Sequence, residues 1–507
     1  MIGGRLLENQ ARRESNARTY ARSLSLALIR GEGIHVVDAD GRSYIDCLAG
    51  AGSLALGHNH PVVVEAIRTV LDSGLPLHTL DFATPVKDAF VEELFAHLPA
   101  GLAPDLRVHF CSPAGTDAVE AALKLVRIAT GRRSILAFSG GYHGMTAGAL
   151  AVSGPVAVRA PIGGTASEVH FLPFPSAYRC PFGVGGGEGA RITVRYVERL
   201  LDDPCSGISP VAGMILEVVQ GEGGCNPAPD EWLRAMRRLT ADRGIPLIVD
   251  EVQTGVGRTG RLFAFEHAGI EPDVVVLSKA IGGGLPLAVI LYRSELDVWE
   301  PGAHTGTFRG NQLAMAAGTA TLREVAGGRL DAHAAETGTL LMERLRAALG
   351  GSGCAGDVRG RGLMVGVEFV DPAGEPDATG ALPADGRMAR AVQLECLQRG
   401  LVVERGGRHG AVIRLLPPLI ITAEEVHEVV ERLAAAVRAA ERCRSNSRGK
   451  AVIGITGTSA DDGLGESPHR ARQRPPGGRL SSASAQSADD GLGESPHRAR
   501  QRPEETA

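Results

Sequence analysis

Two apolar runs in this chain end on side chains that are able to do covalent chemistry together. Residues 273–277 lead to Lys279, one of only four lysines in the chain, and then into the glycines 282–284. Residues 245–249 form a second apolar run, which ends on Asp250. A lysine can hold an aldehyde as a Schiff base, and a carboxylate keeps a pyridine nitrogen protonated so that the ring accepts electrons. This pair is what an enzyme that uses pyridoxal 5'-phosphate needs, and we assign both residues as catalytic and cofactor-binding.

The other three lysines do not compete for this role. Lys124 lies four residues after Glu120 in a helical stretch, which is the spacing of a surface ion pair. Lys87 lies in a polar helix start, and Lys450 lies in the tail. By contrast, the glycines after Lys279 allow backbone to approach a ligand closely, at the end of a strand where open α/β sheets bind their ligands.

Further polar residues are candidates to bind the same cofactor. Gly115 and Thr116 open a helix after an apolar run, so their N–H groups are a possible phosphate seat, although an ordinary capped helix start has the same pattern. Tyr142 is a candidate to stack on the pyridine ring with His143 near it, and either residue could instead pack a loop. Gln253 follows the strand-end acid and is expected to hydrogen-bond the phenolic oxygen of the cofactor.

The pattern of apolar runs predicts the elements that position these residues. Between residues 80 and 328, strand-like runs alternate with helical stretches, which is typical of a mainly parallel sheet covered by helices on both faces. Residues 329–443 change to a smaller α+β pattern, with a capping box at 422–425 that opens a helix to about residue 442. Residues 1–79, which include a hairpin, are expected to contribute to this smaller domain. The predicted fold class is α/β.

Composition limits the other roles of the chain. Its 507 residues carry a net charge of −5, which gives no reason to expect nucleic acid or an anionic membrane as a partner. The sequence shows no spanning helix and no secretion signal, and its eight scattered cysteines form no C-x-x-C pair. We therefore expect a cytoplasmic protein without a metal site. Residues 444–507 are expected to be a disordered tail, in which the segment 459–475 recurs as 487–503.

Taken together, the motifs resemble the class III (ω-amino acid) aminotransferases, which are PLP-dependent transferases of fold type I. They follow the order of that family along most of residues 30–440: 112–120, 140–144, 217–224, 250–260, 277–284, 305–311 and 413–418. The resemblance implies that Glu217 belongs to the cofactor site. It also implies a homodimer or higher homo-oligomer, in which Thr307 binds the cofactor phosphate of the neighbouring subunit.

The resemblance further implies how two substrates share one site. Arg414 would bind the α-carboxylate of 2-oxoglutarate or glutamate, because a guanidinium fits a carboxylate with two parallel hydrogen bonds. Glu222 would pair with Arg414 while the ω-amine substrate is bound. An arginine–glutamate pair of this kind can also be purely structural.

Within the class, the chain is most similar to the members that move the 4-amino group between L-2,4-diaminobutyrate and 2-oxoglutarate. Four segments carry this similarity: 14–20, 46–52, 77–81 and 304–315. Ornithine- and GABA-type members have an arginine where this chain has Met145, so their second carboxylate clamp is absent. As a hypothesis, Arg309 supplies a distal positive charge instead. Three alternatives stay open: an ω-aminotransferase for ornithine, acetylornithine or GABA, a semialdehyde aminomutase, and a non-catalytic interaction protein on the same fold.

Overall fold

The computed structural model describes residues 2–162 and 168–453. The duplicated segments of the predicted tail lie outside these residues, as does most of the tail itself. Met1–Ala451 form one compact unit. The proposed division of this unit at residues 79 and 328 stays a prediction.

Helices and strands alternate along the described residues. The helices are α1 (Ile2–Arg13), α2 (Tyr20–Ser23), α3 (Ala49–Gly52), α4 (Pro61–Asp72), α5 (Pro85–Ala96), α6 (Gly115–Thr130), α7 (Ala147–Ala151), α8 (Val156–Arg159), α9 (Gly186–Asp202), α10 (Asp230–Ala241), α11 (Gln312–Gly327), α12 (Leu330–Leu349), α13 (Gly386–Gln398) and α14 (Ala423–Ile453). The strands are β1 (Leu28–Glu32), β2 (His35–Asp38), β3 (Ser43–Asp46), β4 (Leu106–Phe110), β5 (Ser134–Phe138), β6 (Val169–Leu172), β7 (Val211–Leu216), β8 (Val219–Gln220), β9 (Asn226–Pro227), β10 (Leu247–Asp250), β11 (Val274–Leu277), β12 (Val289–Arg293), β13 (Ala355–Arg361), β14 (Met364–Phe369), β15 (Leu401–Val402), β16 (Glu404–Gly406) and β17 (Val412–Leu415).

The main sheet has seven strands in the order β4-β12-β11-β10-β7-β5-β6. Neighbouring strands in this sheet run parallel except at β12, which is antiparallel to both β11 and β4. Every residue of β5, β7, β10 and β11 is buried, as expected of strands that helices cover on both faces. The prediction of an α/β fold with a mainly parallel sheet is therefore confirmed.

The register of the central strands brings the two catalytic candidates to the same edge. Strands β10 and β11 are parallel neighbours, and Asp250 lies opposite Val276. Lys279 follows β11 after one intervening residue, so both side chains emerge where parallel strands end. Helix α6 begins at the same edge with Gly115 and ends before Gly131, which takes the left-handed conformation (φ 66°) typical of a helix C-terminus.

Two further four-stranded sheets pack beside the main one. One has the order β1-β2-β3-β15, so the predicted N-terminal hairpin shares a sheet with a strand from the C-terminal part of the chain. The other has the order β13-β14-β17-β16 and carries Arg414 on β17. The hairpin prediction is confirmed by the antiparallel pairing of β2 with β3.

The last helix begins where its capping box predicts. The backbone N–H of Glu425 donates to Oγ1 of Thr422 (3.2 Å), and Oε2 of Glu425 accepts from the N–H of Thr422 (2.8 Å). The helix continues to Ile453, beyond the predicted end near Arg442. Within residues 2–162 and 168–453, every helix is too short or too polar to cross a lipid bilayer.

Candidate active site

Lys279 lies at the centre of the candidate site, in a conformation that its neighbours must stabilise. Its φ of 51° is in the left-handed region, which costs a residue with a Cβ on the order of 1–3 kcal/mol and is concentrated at functional sites. The side chain is half-buried. Burial and the charge of Arg414 lower the pKa of Lys279, against the opposing charges of Asp250, Glu404 and Glu217. A lysine with a lowered pKa is more often a neutral amine, which is the nucleophilic form.

Asp250 is buried and is held by His143. Nδ1 of His143 lies 2.7 Å from Oδ2 of Asp250, and these side chains are only 1% and 5% exposed. Burial alone would lower the pKa of His143, but the hydrogen bond and the charge of Asp250 outweigh it and raise the pKa. The other carboxylate oxygen accepts from the N–H of Val252 (3.0 Å). A buried carboxylate at a strand end is a suitable partner for a protonated pyridine nitrogen, so this pair fits the predicted cofactor.

Glu217 positions two loops of the site. Its Oε1 accepts from the N–H of Tyr142 and its Oε2 from the N–H of Gly221, each at 2.9 Å. Burial raises the pKa of Glu217 to about 7. Burial and the charges of Glu222 and Glu404 raise the pKa of Tyr142. Contact of Tyr142 and Glu217 with a cofactor stays a prediction.

The start of helix α6 has the properties of a phosphate seat. The first N–H groups of a helix have no acceptor within the helix, and here they belong to Gly115 and Thr116. A Cβ on Gly115 would lie 3.0 Å from Cγ1 of Val252, so a larger residue would crowd the loop after β10. Oγ1 of Thr116 lies 2.7 Å from Oγ1 of Thr146, which ties the helix start to the loop that follows β5.

Gln253 lies in the same region but already has a protein partner. Its Nε2 donates to the carbonyl oxygen of Ala51 at 2.9 Å. A Cβ on Gly221 would lie 2.0 Å from Oε1 of Gln253, so the carboxamide packs directly against the backbone at Gly221. One N–H of the amide is left for the predicted contact with a phenolic oxygen.

Arg414 is almost fully buried between two carboxylates. Its side chain is 1% exposed, and its Nη2 contacts both Glu222 and Oε2 of Glu404, the latter at 2.8 Å. Glu222 is 40% exposed, so it can move away from Arg414 more easily than Glu404, which is 11% exposed. Oε1 of Glu404 accepts from Oη of Tyr20 at 2.9 Å.

Two members of this cluster escaped sequence reasoning. Glu404 and Tyr20 are separated by 384 residues; Tyr20 ends the segment 14–20 but was assigned no role there, and Glu404 belongs to no motif. The only sequence signal for Glu404 was its position directly after an apolar run, with no recognisable motif around it. Its position opposite Arg414 follows only from the antiparallel pairing of β16 with β17.

Thr307 and Arg309 do not join the Lys279 cluster within the described chain. Thr307 is exposed. Nη2 of Arg309 donates to Oδ2 of Asp81 at 2.7 Å, so the guanidinium already has an anionic partner. A Cβ on Gly306 would lie 2.2 Å from Oγ of Ser112, which places the loop that carries both residues against the segment leading to the phosphate seat.

The predicted pair of Lys124 with Glu120 is wrong. Nζ of Lys124 donates to the carbonyl oxygen of Ala303 at 3.0 Å. Oε1 of Glu120 accepts from the N–H groups of Gly148 (2.7 Å) and Ala149 (3.1 Å). Lys124 therefore satisfies a loop carbonyl and Glu120 satisfies the first N–H groups of helix α7, because partly buried backbone groups need partners more than two solvated side chains do.

Comparisons with known proteins cover most of the chain. A sequence profile described as aminotransferase class-III matches residues 16–437. The chain is 58% identical over 430 residues to the diaminobutyrate--2-oxoglutarate aminotransferase of Rhizobium meliloti (strain 1021), covering 85% of this chain and 92% of the relative. It is 50% identical over 426 residues to the enzyme of the same name from Haemophilus influenzae, covering 84% and 93%.

Solved structures show the same similarity. A Bacillus anthracis aminotransferase matches with a TM-score of 0.77 at 25% identity, covering 86% of this chain and 99% of the other. A PLP-bound amine transaminase from an uncultivated Pseudomonas species matches with a TM-score of 0.74 at 29% identity, covering 84% and 98%. The ornithine aminotransferase of Toxoplasma gondii matches with a TM-score of 0.71 at 27% identity, covering 87% and 95%.

Proposed function

This chain belongs to the class III aminotransferase family, and on that premise we propose that it moves the 4-amino group between L-2,4-diaminobutyrate and 2-oxoglutarate. The products are L-aspartate 4-semialdehyde and L-glutamate, and the reaction is reversible. The observation that carries the proposal is the Lys279 and Asp250 pair at one sheet edge, in a chain whose relatives at the highest identities reported above bear this activity in their names.

Pyridoxal 5'-phosphate, when bound, supplies an aldehyde for the amino group and a protonated pyridine ring that withdraws electrons from the reacting carbon. Asp250 would hold the proton on the pyridine nitrogen, and His143 holds Asp250 in place. Gly115 and Thr116 bind the phosphate through backbone N–H groups. Tyr142 would hold the ring in place, and Glu217 fixes the backbone of Tyr142.

Lys279 has two tasks in the proposed reaction. With the cofactor bound, it would hold the aldehyde between turnovers, and as a free amine it would accept and return a proton at the substrate carbon. Its pKa is lowered by burial and by Arg414, which increases the neutral fraction that can accept this proton. A general base works best when its pKa approaches the working pH.

Arg414 and Glu222 form the proposed switch between the two half-reactions. With Glu222 in contact, the charge of Arg414 is masked, and the diamino acid presents its 4-amino group rather than its α-carboxylate to this end of the site. With Glu222 displaced, the guanidinium binds the α-carboxylate of 2-oxoglutarate or glutamate through two hydrogen bonds. The greater exposure of Glu222 supports this assignment of the moving partner.

We also propose that the enzyme works as a cytoplasmic homodimer. Thr307 is exposed, and the neighbouring Phe308 exposes 66% of its surface beside His78, with ring centroids 5.4 Å apart. The apolar side chains of Leu77 and Phe82, which lie nearby in sequence, are 50% and 70% exposed. Such exposed apolar side chains are suited to a protein interface. In the dimer, Thr307 of one subunit completes the phosphate seat of its partner.

An amino-donor panel tests the proposed activity. Purified protein with added pyridoxal phosphate is given 2-oxoglutarate and one of diaminobutyrate, ornithine or GABA, and glutamate is measured. We expect diaminobutyrate to be the preferred donor. Preference for ornithine or GABA would select the corresponding ω-aminotransferase, and semialdehyde conversion without 2-oxoglutarate would select an aminomutase.

A cofactor measurement separates an enzyme from a non-catalytic protein on the same fold. We expect absorbance near ~420 nm and, after borohydride treatment, a pyridoxyl group on the peptide that carries Lys279. Protein that stays colourless and carries no such group would overturn the assignment. Lys279→Ala is the matched control, since it keeps the cleft but lacks the amine.

A further inference from the structure

We propose that Glu404 is a specificity-determining residue that binds the second, non-reacting ammonium group of a diamino acid substrate. The inference rests on the proposed function and extends it, because it assigns a residue to the feature that distinguishes diaminobutyrate from a monoamine donor. Glu404 lies on β16 directly opposite Arg414 on β17.

Contacts place Glu404 in the charged cluster around Arg414. Its charge acts on Lys279 and on Tyr142, and it contacts Arg414 and Tyr20 directly. The carboxylate therefore adjoins the proposed carboxylate-binding arginine, its charge acts on the reacting lysine, and its own side chain is 11% exposed. An amino acid held at Lys279 would bring its remaining charged groups within reach of this carboxylate.

The pairing between Glu404 and Arg414 leaves polar atoms unsatisfied. Oε2 of Glu404 is 2.8 Å from Nη2 of Arg414, but it is buried without an aligned hydrogen bond among the described residues. Nε and Nη1 of Arg414 are also buried without hydrogen-bond partners in the same part of the chain. Buried polar groups normally have partners, so these atoms are suited to ligand groups that complete their hydrogen bonding.

The balance of charge favours a cation as the missing partner of Glu404. Two carboxylates, Glu222 and Glu404, share one nitrogen of Arg414. If Glu222 pairs with the guanidinium of Arg414 during the diamine half-reaction, the positive charge of Arg414 is divided between two carboxylates. The negative charge of Glu404 is then only partly neutralised. A buried carboxylate needs a cation or several donors, and an ammonium group offers three N–H donors. Tyr20 already donates to Oε1, which leaves Oε2 for the ammonium.

Substrate pairs that differ by one group test this assignment. L-2,4-diaminobutyrate and 4-aminobutyrate differ only in the second amino group, and 1,3-diaminopropane keeps both amino groups but lacks the carboxylate. In the holoenzyme, Glu404→Gln keeps the size of the side chain and its hydrogen bond from Tyr20 but removes the charge. We expect kcat/KM to fall at least tenfold for the two diamines and to change less than twofold for 4-aminobutyrate. If turnover of 4-aminobutyrate is too slow to measure, its inhibition constant is compared between wild type and variant instead.

Glu368→Gln is the matched control. Glu368 is also a buried glutamate paired with two arginines, Arg179 and Arg359, and it lies in the same sheet as Glu404. We expect this control to leave the ratio of diamine to monoamine kcat/KM unchanged. Equal losses for all three amines in Glu404→Gln, together with a loss in the 2-oxoglutarate half-reaction, would mean that Glu404 only positions Arg414 and would overturn the proposal.

A second variant covers the case in which Glu404→Gln does not fold. Glu404→Asp keeps the charge and withdraws it by one methylene, and we expect it to reduce the diamine-to-monoamine ratio by a smaller factor. An unchanged ratio in a folded Glu404→Asp enzyme would contradict the proposal. Wild-type protein that forms no glutamate from diaminobutyrate would overturn the proposed function itself, whereas an active wild type with an unchanged ratio in the variants would overturn only the role of Glu404.

Discussion

The Nδ1 atom of His143 lies 2.7 Å from Oδ2 of Asp250, and both side chains are buried at the edge where the main sheet ends. The pair joins the loop after β5 to the end of β10, across 107 residues of sequence. It gives the acid that faces the predicted pyridine nitrogen a single orientation. A charged hydrogen bond of this kind typically contributes about 1.5–3 kcal/mol.

His143→Ala should therefore lower kcat by roughly 10- to 100-fold, because Asp250 loses the hydrogen-bond donor that orients it. The measurement is single-turnover kinetics with saturating pyridoxal phosphate. His97→Ala removes another histidine–carboxylate pair, with Glu93 at 2.8 Å, away from the site, and it should leave kcat unchanged. Equal kcat values in wild type and His143→Ala would contradict the proposed role.

Glu222→Ala should change the balance between the two half-reactions. Removing the carboxylate unmasks Arg414, so we expect the glutamate half-reaction to be retained and the diaminobutyrate half-reaction to slow. The ratio of their kcat/KM values should shift at least about tenfold, equivalent to about 1.4 kcal/mol. Glu188→Ala is the control, since Glu188 is similarly exposed (43%) and paired with arginine far from this cluster in sequence. Parallel losses in both half-reactions would favour a purely structural pair.

Thr307→Ala should weaken binding of the cofactor in the neighbouring subunit. If the site is shared, mixing Thr307→Ala with the inactive Lys279→Ala yields heterodimers in which one site carries both changes and the other carries neither. We expect activity to rise on mixing above the sum of the two separate preparations. Activity that only equals this sum, in samples shown by native mass spectrometry to have exchanged subunits, would argue that Thr307 serves its own subunit.

Arg309→Ala tests the hypothesis of a distal positive charge for 2-oxoglutarate. We expect the KM for 2-oxoglutarate to rise well above tenfold, a loss of about 1.4 kcal/mol or more. The ion pair of Arg309 with Asp81 supplies the counter-test, since Asp81→Ala should free the guanidinium and leave KM unchanged or lower. An unchanged KM in Arg309→Ala would mean that the residue only holds the loop at Asp81.

Glu251→Gln should alter how stability depends on pH. Burial raises the pKa of Glu251 to about 7 from 4.5, so its stabilising contribution is complete below about pH 4.5 and is lost as pH rises to about 7. Glutamine keeps the contacts with Thr254 and the N–H of Phe265 but does not ionise. The free energy of unfolding of the variant, relative to wild type, should therefore increase by up to roughly 3 kcal/mol across this range.

Urea unfolding at several pH values measures this effect. Glu92→Gln, a substitution at an exposed glutamate, should give a difference from wild type that does not vary over the same range. A flat difference for Glu251→Gln as well would show that Glu251 is ionised at neutral pH in the folded protein.

Local patterns in the sequence were sufficient for the alternating architecture, the strand ends at Asp250 and Lys279, and the capping box at Thr422. Each depends on residues close together in the chain, where periodicity and hydrogen-bonding capacity act directly. The resemblance to a known family also identified Glu222 and Arg414 as a pair.

Tertiary structure decided which side chains meet across long stretches of chain. The bond from His143 to Asp250, the place of Glu404 between Tyr20 and Arg414, and the ion pair of Arg309 follow from strand order and register. A shift of one residue in the pairing of β16 with β17 would turn Glu404 to the opposite face, and no local signal specifies that register. The sequence by itself therefore determined the kind of chemistry and the elements that carry it, while packing of distant elements decided which charges surround the reacting lysine.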